Sequence, residues 1–160
     1  LFSGLYGLPT VCLRYFNVYG PRQSAEGAYA TVIGIFLRQK HTGQPMTIVG
    51  DGKQRRDFTN VKDIVAANIA AMQSGKVGKG EVINIGSGEN FSVNEVADLI
   101  SGKTKNIAPR LGEAKVTLAD INKAKKFLGW RPRVRFEEGI RELKKLNKIY
   151  AENQQKSRRL

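Results

Sequence analysis

At 160 residues with 41% of them hydrophobic, the chain is long and apolar enough to bury a real core, and its composition excludes the disordered and collagen-like classes. A single cysteine, Cys12, excludes an internal disulfide and a cysteine-rich zinc site, and no apolar run is long enough to span a bilayer, so the cytoplasm is the expected compartment. The net charge of +13 raises nucleic acid as a partner, but 14 of the 27 Lys and Arg, against 5 of the 14 Asp and Glu, fall after position 114. They lie on the outer faces of helical patterns and in the tail Lys156, Arg158, Arg159, without interleaved aromatics, which predicts a solvated face and no nucleic-acid partner.

In chain order, Leu1 to Tyr6 read as the last turn of an amphipathic helix, closed by Gly7 with Pro9 beyond it. The chain thus begins inside an element and without an initiator Met, and a fragment is expected. Thr10 to Phe16 is an almost continuous apolar and aromatic run, the pattern of a strand covered on both faces. Gly20-Pro21 then breaks regular structure. Asn17, at the end of this strand, is placed either to offer its amide to a ligand or to satisfy its own turn. Gly27 to Gly43, with Ala28, Val32, Ile33, Ile35, Phe36 and Leu37, predicts a helix ending before Pro45. His41, the only histidine, is a helix-end cation at most, with no partner motif to make it a base.

Met46 to Val49 predicts a strand that enters Gly50-Asp51-Gly52, a tight turn requiring positive φ. Arg55 and Arg56 follow. Guanidinium forks match phosphate or carboxylate oxygens, so the pair marks either an anion site or a solvated loop. Val61 to Gly75 has helical apolar spacing, with Asn60 as N-cap and Gly75 as C-cap, and Glu81 to Ile85 is a second strand turned by Gly86-Ser87-Gly88. Ser92 and Glu95 form a capping box that opens a helix to about Ile100. Ser101 to Val116 reads as irregular. Asp120 caps a helix over Ile121 to Leu128, ended by Gly129, and Phe136 to about Asn153 is a terminal helix with Ile140, Leu143, Leu146 and Tyr150 on one face. Strands alternating with helices predict an α/β chain with too few strands for an independent doubly wound sheet.

Five phrases in order carry a resemblance. They are Leu13 to Gln23 (LRYFNVYGPRQ), Gly27 to Ile33 (GAYATVI), Gly50-Asp51-Gly52 through Arg56-Asp57-Phe58, Asn84 to Gly88 (NIGSG), and Ala119 to Ala124 with Leu128-Gly129-Trp130. Together they resemble the C-terminal half of the extended short-chain dehydrogenase/reductase sugar-nucleotide epimerases, above all the UDP-glucose and UDP-N-acetylglucosamine 4-epimerase branch, up to about Lys145. The resemblance implies the C-terminal part of an NAD(P)-binding Rossmann-type α/β fold with its small substrate-binding domain. Residues 1–23 would be the last helix turn and strand of the Rossmann half. Residues 24–145 would be the substrate-binding domain, interleaved with the final sheet strand at about 81–88, and 146–160 the helix end and basic tail.

What the resemblance further implies is an enzyme whose N-terminal half holds NAD and a catalytic Tyr-x-x-x-Lys pair. No G-x-x-G-x-x-G follows a strand here and no Tyr precedes a Lys by four positions, so no catalytic residue and no hydride-transfer chemistry are expected in this chain. The substrate, a UDP-sugar, would meet Asn17 and Arg56 at its diphosphate and Arg110 at a phosphate, with Arg55 left as the solvent-facing neighbour of Arg56. Glu113 would meet the ribose hydroxyls, standing where the family pattern Arg-x-Gly-Asp has Asp, after a segment shorter than usual. Val32, Ile33 and Ile48 would wall the nucleoside pocket, and Tyr15, Asn17 and Val18 would border NAD. The whole enzyme would be a homodimer. A dehydratase or decarboxylase of the same superfamily is the neighbouring alternative, and a basic nucleic-acid-binding module the alternative from another class.

Overall fold

The computed structural model describes residues 1–27 and 30–157, with side chains described as far as Asn147. Ala28 and Tyr29, and the tail residues Arg158 and Arg159, lie outside the described residues, as do the side chains of Tyr150 and Lys156. In chain order the elements are α1 (Phe2–Tyr6), β1 (Thr10–Tyr15), β2 (Val18–Tyr19), α2 (Val32–His41), β3 (Met46–Val49), β4 (Arg55–Arg56) and β5 (Thr59–Asn60). There follow α3 (Val61–Gln73), β6 (Lys79–Ile85), β7 (Phe91–Ser92), α4 (Val93–Ile100), β8 (Thr104–Ile107), a π-turn over Ala124–Leu128 and α5 (Phe136–Ser157). The strands pair two by two. β1 runs parallel to β6, β2 to β5 and β3 to β8, whereas β4 and β7 are antiparallel. Parallel neighbours need crossovers, and the helices supply them.

Local chemistry sets the helix starts. Thr31 Oγ1 accepts from Gly34 N and Asn60 Oδ1 from Lys62 N. Ser92 Oγ accepts from Glu95 N while Glu95 Oε2 accepts from Ser92 N, the reciprocal capping box. The Ser92 amide, then its hydroxyl and Arg55, hold the Glu95 carboxyl below its ordinary range. α2 begins at Val32, not just after Gly27, because Thr31 caps it there. α3 ends at Gln73 with Ser74 as its cap, in place of the expected Gly75. The stretch expected to be irregular contains β8, and the helix expected over Ile121 to Leu128 shortens to the π-turn, ahead of which Asp120 Oδ1 accepts from Asn122 N.

Two apolar clusters divide the molecule. In the first, α2, β3, α4 and α5 bury Ile33, Phe36, Met46, Ile48, Val96, Ile100, Ile140 and Leu143. At its centre Phe136 stacks between Phe91, with centroids 4.3 Å apart, and Phe58, at 5.2 Å, while Tyr19 meets it edge-on. The Tyr19 hydroxyl is buried without a hydrogen-bond partner, and burial pushes it up to about 12, an effect Asn60 offsets only in part. The second cluster joins α3, β6 and the π-turn through Ile64, Ala67, Ile83, Ile85, Ala124 and Trp130. Trp130 Nε1 donates to Asp63 O, and the buried Asp63 carboxylate accepts from Arg133 N and Val134 N. This side is less closed. Cys12, Arg14 and Tyr15 of β1 are exposed, so the expected cover on both strand faces is not met; α3 lies against β1, and Val65, Ile69 and Met72 of α3 are also exposed. Among the described residues no helix is long and apolar enough to cross a membrane.

Candidate functional site

A cavity of about 370 Å³ opens between the start of α2, the β3–β8 pair and β4, within the size range of small-ligand sites. Its apolar wall is Val32, Ile35, Phe36, Val49, Phe58, Val93 and Ile107; its polar groups include Asn17, Thr31, Thr47, Gln54, Arg56, Arg110 and Glu113. Strand alternation explains the wall: Met46 and Ile48 point into the core while Thr47 and Val49 point to the cavity. The first turn of α2 borders it through Thr31, Val32 and Ile35, and Thr31 Oγ1 already takes the Gly34 amide. The start of α4 also reaches the cavity at Val93, but its amides are spent: Val93 N donates to Gln54 O and Asn94 N to Gly52 O. Close approach explains the glycine turn, since Gly52 has a φ of 73° and a Cβ there would strike Asn94 and Ile48.

The two arginines diverge. Arg56, with 16% of its side chain exposed, donates Nη1 to Arg55 O and Nη2 to Glu113 Oε1 at 3.1 Å. Its guanidinium lines the cavity with fork donors remaining. Arg55, expected to be the solvent-facing neighbour, is instead a structural tie, donating Nε to Asn90 Oδ1, Nη2 to Asn90 O and Nη1 to Glu95 Oε2. Antiparallel pairing of β4 with β7 brings these partners alongside. Asp57, next in sequence, is fully buried. Its carboxylate accepts from Ser87 N and Oγ, Gly88 N, Ala119 N and, at 3.4 Å, Thr59 Oγ1. Asn17 Nδ2 donates to Asp57 O at 2.9 Å, so one amide hydrogen is engaged and the other is left over.

Of the residues singled out from sequence, Asn17, Val32, Arg56, Arg110 and Glu113 share this cavity. Ile33 and Ile48 do not line it. Both are core residues: Ile33 is fully buried in the first cluster, and strand alternation turns Ile48 inward. Tyr15 and Val18 also stand outside it: Tyr15 Oη donates to Asn68 Oδ1, and Val18 pairs with Thr59. Sequence reasoning missed Ile35, Thr47, Val49, Gln54 and Ile107, of which Thr47 and Val49 were readable from alternation with Met46 and Ile48. Asp57 was also missed, and its one signal was its place between Arg56 and an aromatic at the edge of a glycine turn. His41 stands in the last turn of α2, away from the cavity. Among the described residues no three His, Cys, Asp or Glu cluster to hold a metal ion. What the cavity presents is cations and amide donors suited to an anion, beside an apolar wall.

The fold and cavity define an α/β protein of the Rossmann-type extended short-chain dehydrogenase/reductase class. The comparisons with known proteins narrow this: the chain belongs to the family described as GDP-mannose 4,6 dehydratase, whose model matches residues 2–143. It is 41% identical over 150 residues to a UDP-N-acetyl-alpha-D-glucosaminuronate decarboxylase of Bacillus cytotoxicus, covering 86% of this chain and 46% of that protein. Among solved structures, a UDP-glucose 4-epimerase with UDP-glucose from Thermotoga maritima is 41% identical with a TM-score of 0.80, over 87% of this chain and 46% of that one. A UDP-glucuronic acid 4-epimerase from Bacillus cereus, in complex with UDP-glucuronic acid and NAD, is 34% identical with a TM-score of 0.82, over 93% and 48%. The chain thus spans about half the length of the curated relatives it matches.

Proposed function

We propose that this chain forms the nucleotide-sugar-binding side of an NAD-dependent UDP-sugar 4-epimerase. The observation that carries the reading is the convergence of Asn17, Arg56, Arg110 and Glu113 on one cavity with an apolar wall. Arg56 and Arg110 neutralise the diphosphate, the remaining amide hydrogen of Asn17 orients it, and Glu113 accepts from the ribose diol. Val32, Ile35, Val49 and Ile107 hold the nucleoside. The relatives named above act on or bind UDP-sugars, which supports the same ligand here.

NAD, when bound, supplies the hydride acceptor. The residues present fit only a border of that cofactor: Tyr15 ends β1 of the parallel β1–β6 pair, where such ligands seat, and Val18 opens β2 three residues on. No glycine-rich phosphate turn of the G-x-x-G-x-x-G kind is in the sequence. The chain by itself is therefore a binding half without activity, with 24–145 as its substrate domain. A decarboxylase reading is favoured by one observation, the 41% identity to the Bacillus cytotoxicus enzyme, and rests on the same cavity. Assay of the whole enzyme separates the two, since carbon dioxide release from a UDP-uronic acid belongs to the decarboxylase alone.

Calorimetric titration of the chain with UDP, dTDP and duplex DNA at two salt concentrations tests the binding reading. Saturable UDP binding is expected, whereas steeply salt-dependent DNA binding without UDP binding would mark a nucleic-acid binder instead. Arg56→Ala lowers UDP affinity about tenfold or more, as loss of charge-assisted hydrogen bonds requires. Unchanged affinity in that variant refutes the assignment.

A further inference from the structure

The Asp57 carboxylate reaches no cavity and pairs with no cation among the described residues, although it adjoins Arg56 in sequence. Its five donors come from three separate places: the turn after β6 (Ser87, Gly88), the segment at Ala119, and β5 (Thr59). Donors this dense are expensive to assemble around a buried carboxylate, and a satisfied one is correspondingly rigid. Space is tight as well, since a Cβ on Gly86 would stand 2.7 Å from Asp57 Oδ2. The carboxylate thus pins the backbone of residue 57 from its side-chain end.

That backbone runs between Arg56 and Phe58, both of which line the cavity, while Asp57 itself does not. Asp57 O receives Asn17 Nδ2, which orients the amide at the cavity, and the preceding residue is Arg56. On the other flank, Arg55 is tied by its guanidinium to Asn90 and Glu95. Arg56 therefore projects from a backbone clamped on both sides, and preorganised donors bind an anion without the entropy cost of ordering them. We propose that Asp57 is a positioning residue of this site, fixing Arg56 and Asn17 in their ligand-facing geometry while touching no ligand itself. The proposal rests on the nucleotide-binding reading only for the affinity it predicts; the geometric claim stands apart from it.

Two readouts on the 160-residue chain test it, at a temperature where circular dichroism shows each variant folded. The Asn17 side-chain amide pair, observed by 15N NMR, reports the Asn17 to Asp57 O bond, and calorimetry reports affinity for UDP. Asp57→Asn, which sets an amide among donors, is expected to shift the Asn17 pair toward free-amide values and to weaken UDP binding about tenfold. Should that variant not fold, the double variant Ser87→Ala, Thr59→Val removes the two hydroxyl donors and leaves the carboxylate on backbone amides; a shift in the same direction with a two- to fivefold loss is expected. A role confined to stability would lower the melting temperature and leave both readouts of the folded protein unmoved, and that result overturns the proposal. If the unmodified chain binds no UDP, the nucleotide reading fails, and the Asn17 signal alone decides the positioning claim.

Discussion

The two apolar clusters are built from similar residues yet are finished differently. Around Phe136, helices α2, α4 and α5 close over β3 with the cavity beside them, whereas around Ile83 and Trp130 the chain keeps large apolar side chains in water. Met72 is 86% exposed, and Val65, Ile69, Tyr15 and Val82 each show more than a third of their surface. Isolated exposed apolar residues are ordinary, but a run along one helix face beside a strand pair open to water is not. The difference teaches that the ligand cavity belongs to the self-sufficient side. Its shape follows from elements that bury one another, and the open side contributes Asn17 just past β1 and the Ser87–Gly88 turn that holds Asp57.

The largest effect expected on this contrast is at the aromatic centre. Phe136→Ala removes the ring stacked between Phe91 and Phe58 and should cost about 3–5 kcal/mol in urea unfolding. A loss below about 1 kcal/mol would mean the closed side is not the more tightly packed one. Tyr19 comes next. Its folded value of about 12 lies above the ordinary 10.0, so the folded state holds this proton more tightly. The stability involved is present in full below pH 10 and is lost as pH rises from 10 to 12, amounting to about 2–3 kcal/mol. Tyr19→Phe, compared with the parent in thermal melts across that range, should abolish this part of the alkaline loss and cost little at neutral pH, where it deletes an unpartnered hydroxyl.

On the open side, Asp63→Ala strips the acceptor from Arg133 N and Val134 N and should cost about 2 kcal/mol, measured the same way. The smallest effect is at its surface, where Ile69→Ser with Met72→Ser should change stability by less than about 0.5 kcal/mol while reducing any self-association seen in sedimentation. A core-sized loss from that pair would show the open face to be covered in solution, and the contrast would break.

Much of this was legible from residues whose partners are near in sequence. Asn60 and the Ser92–Glu95 box act within three positions, and the αL residue Gly7 closes α1 with a bond to Ser3. The class of protein was legible too, because five ordered phrases are a specific signal. What was not legible depends on distant pairing. β8 is a short, polar and exposed strand, Thr104-Lys105-Asn106-Ile107, and only β3, some sixty residues upstream, makes it one. Arg55 looked solvent-facing because Asn90 and Glu95 are 35 and 40 positions away. The importance of Asp57 lies in amides and hydroxyls of Thr59, Ser87, Gly88 and Ala119, of which only Thr59 is near in sequence, so no local pattern announces it. Ile33 and Ile48, pocket walls by the family resemblance, lie in the core, because a resemblance transfers positions without the facing direction of each side chain.

The parallel pairing of β3 with β8 has one more consequence. Val49 lies opposite Ile107 in the register, and both face the cavity beside residues as early as Asn17 and as late as Glu113. Contacts of such sequence separation carry a large loop-closure cost and form late in folding. No piece of the chain that leaves out either end of the stretch 17–113 contains the cavity whole. A nucleotide that seats there selects the completed topology, adding about 2.7 kcal/mol of stability at a hundredfold excess over its dissociation constant. Occupancy and completeness of folding thus become one observable, and a rise in melting temperature with nucleotide would count the molecules that have finished.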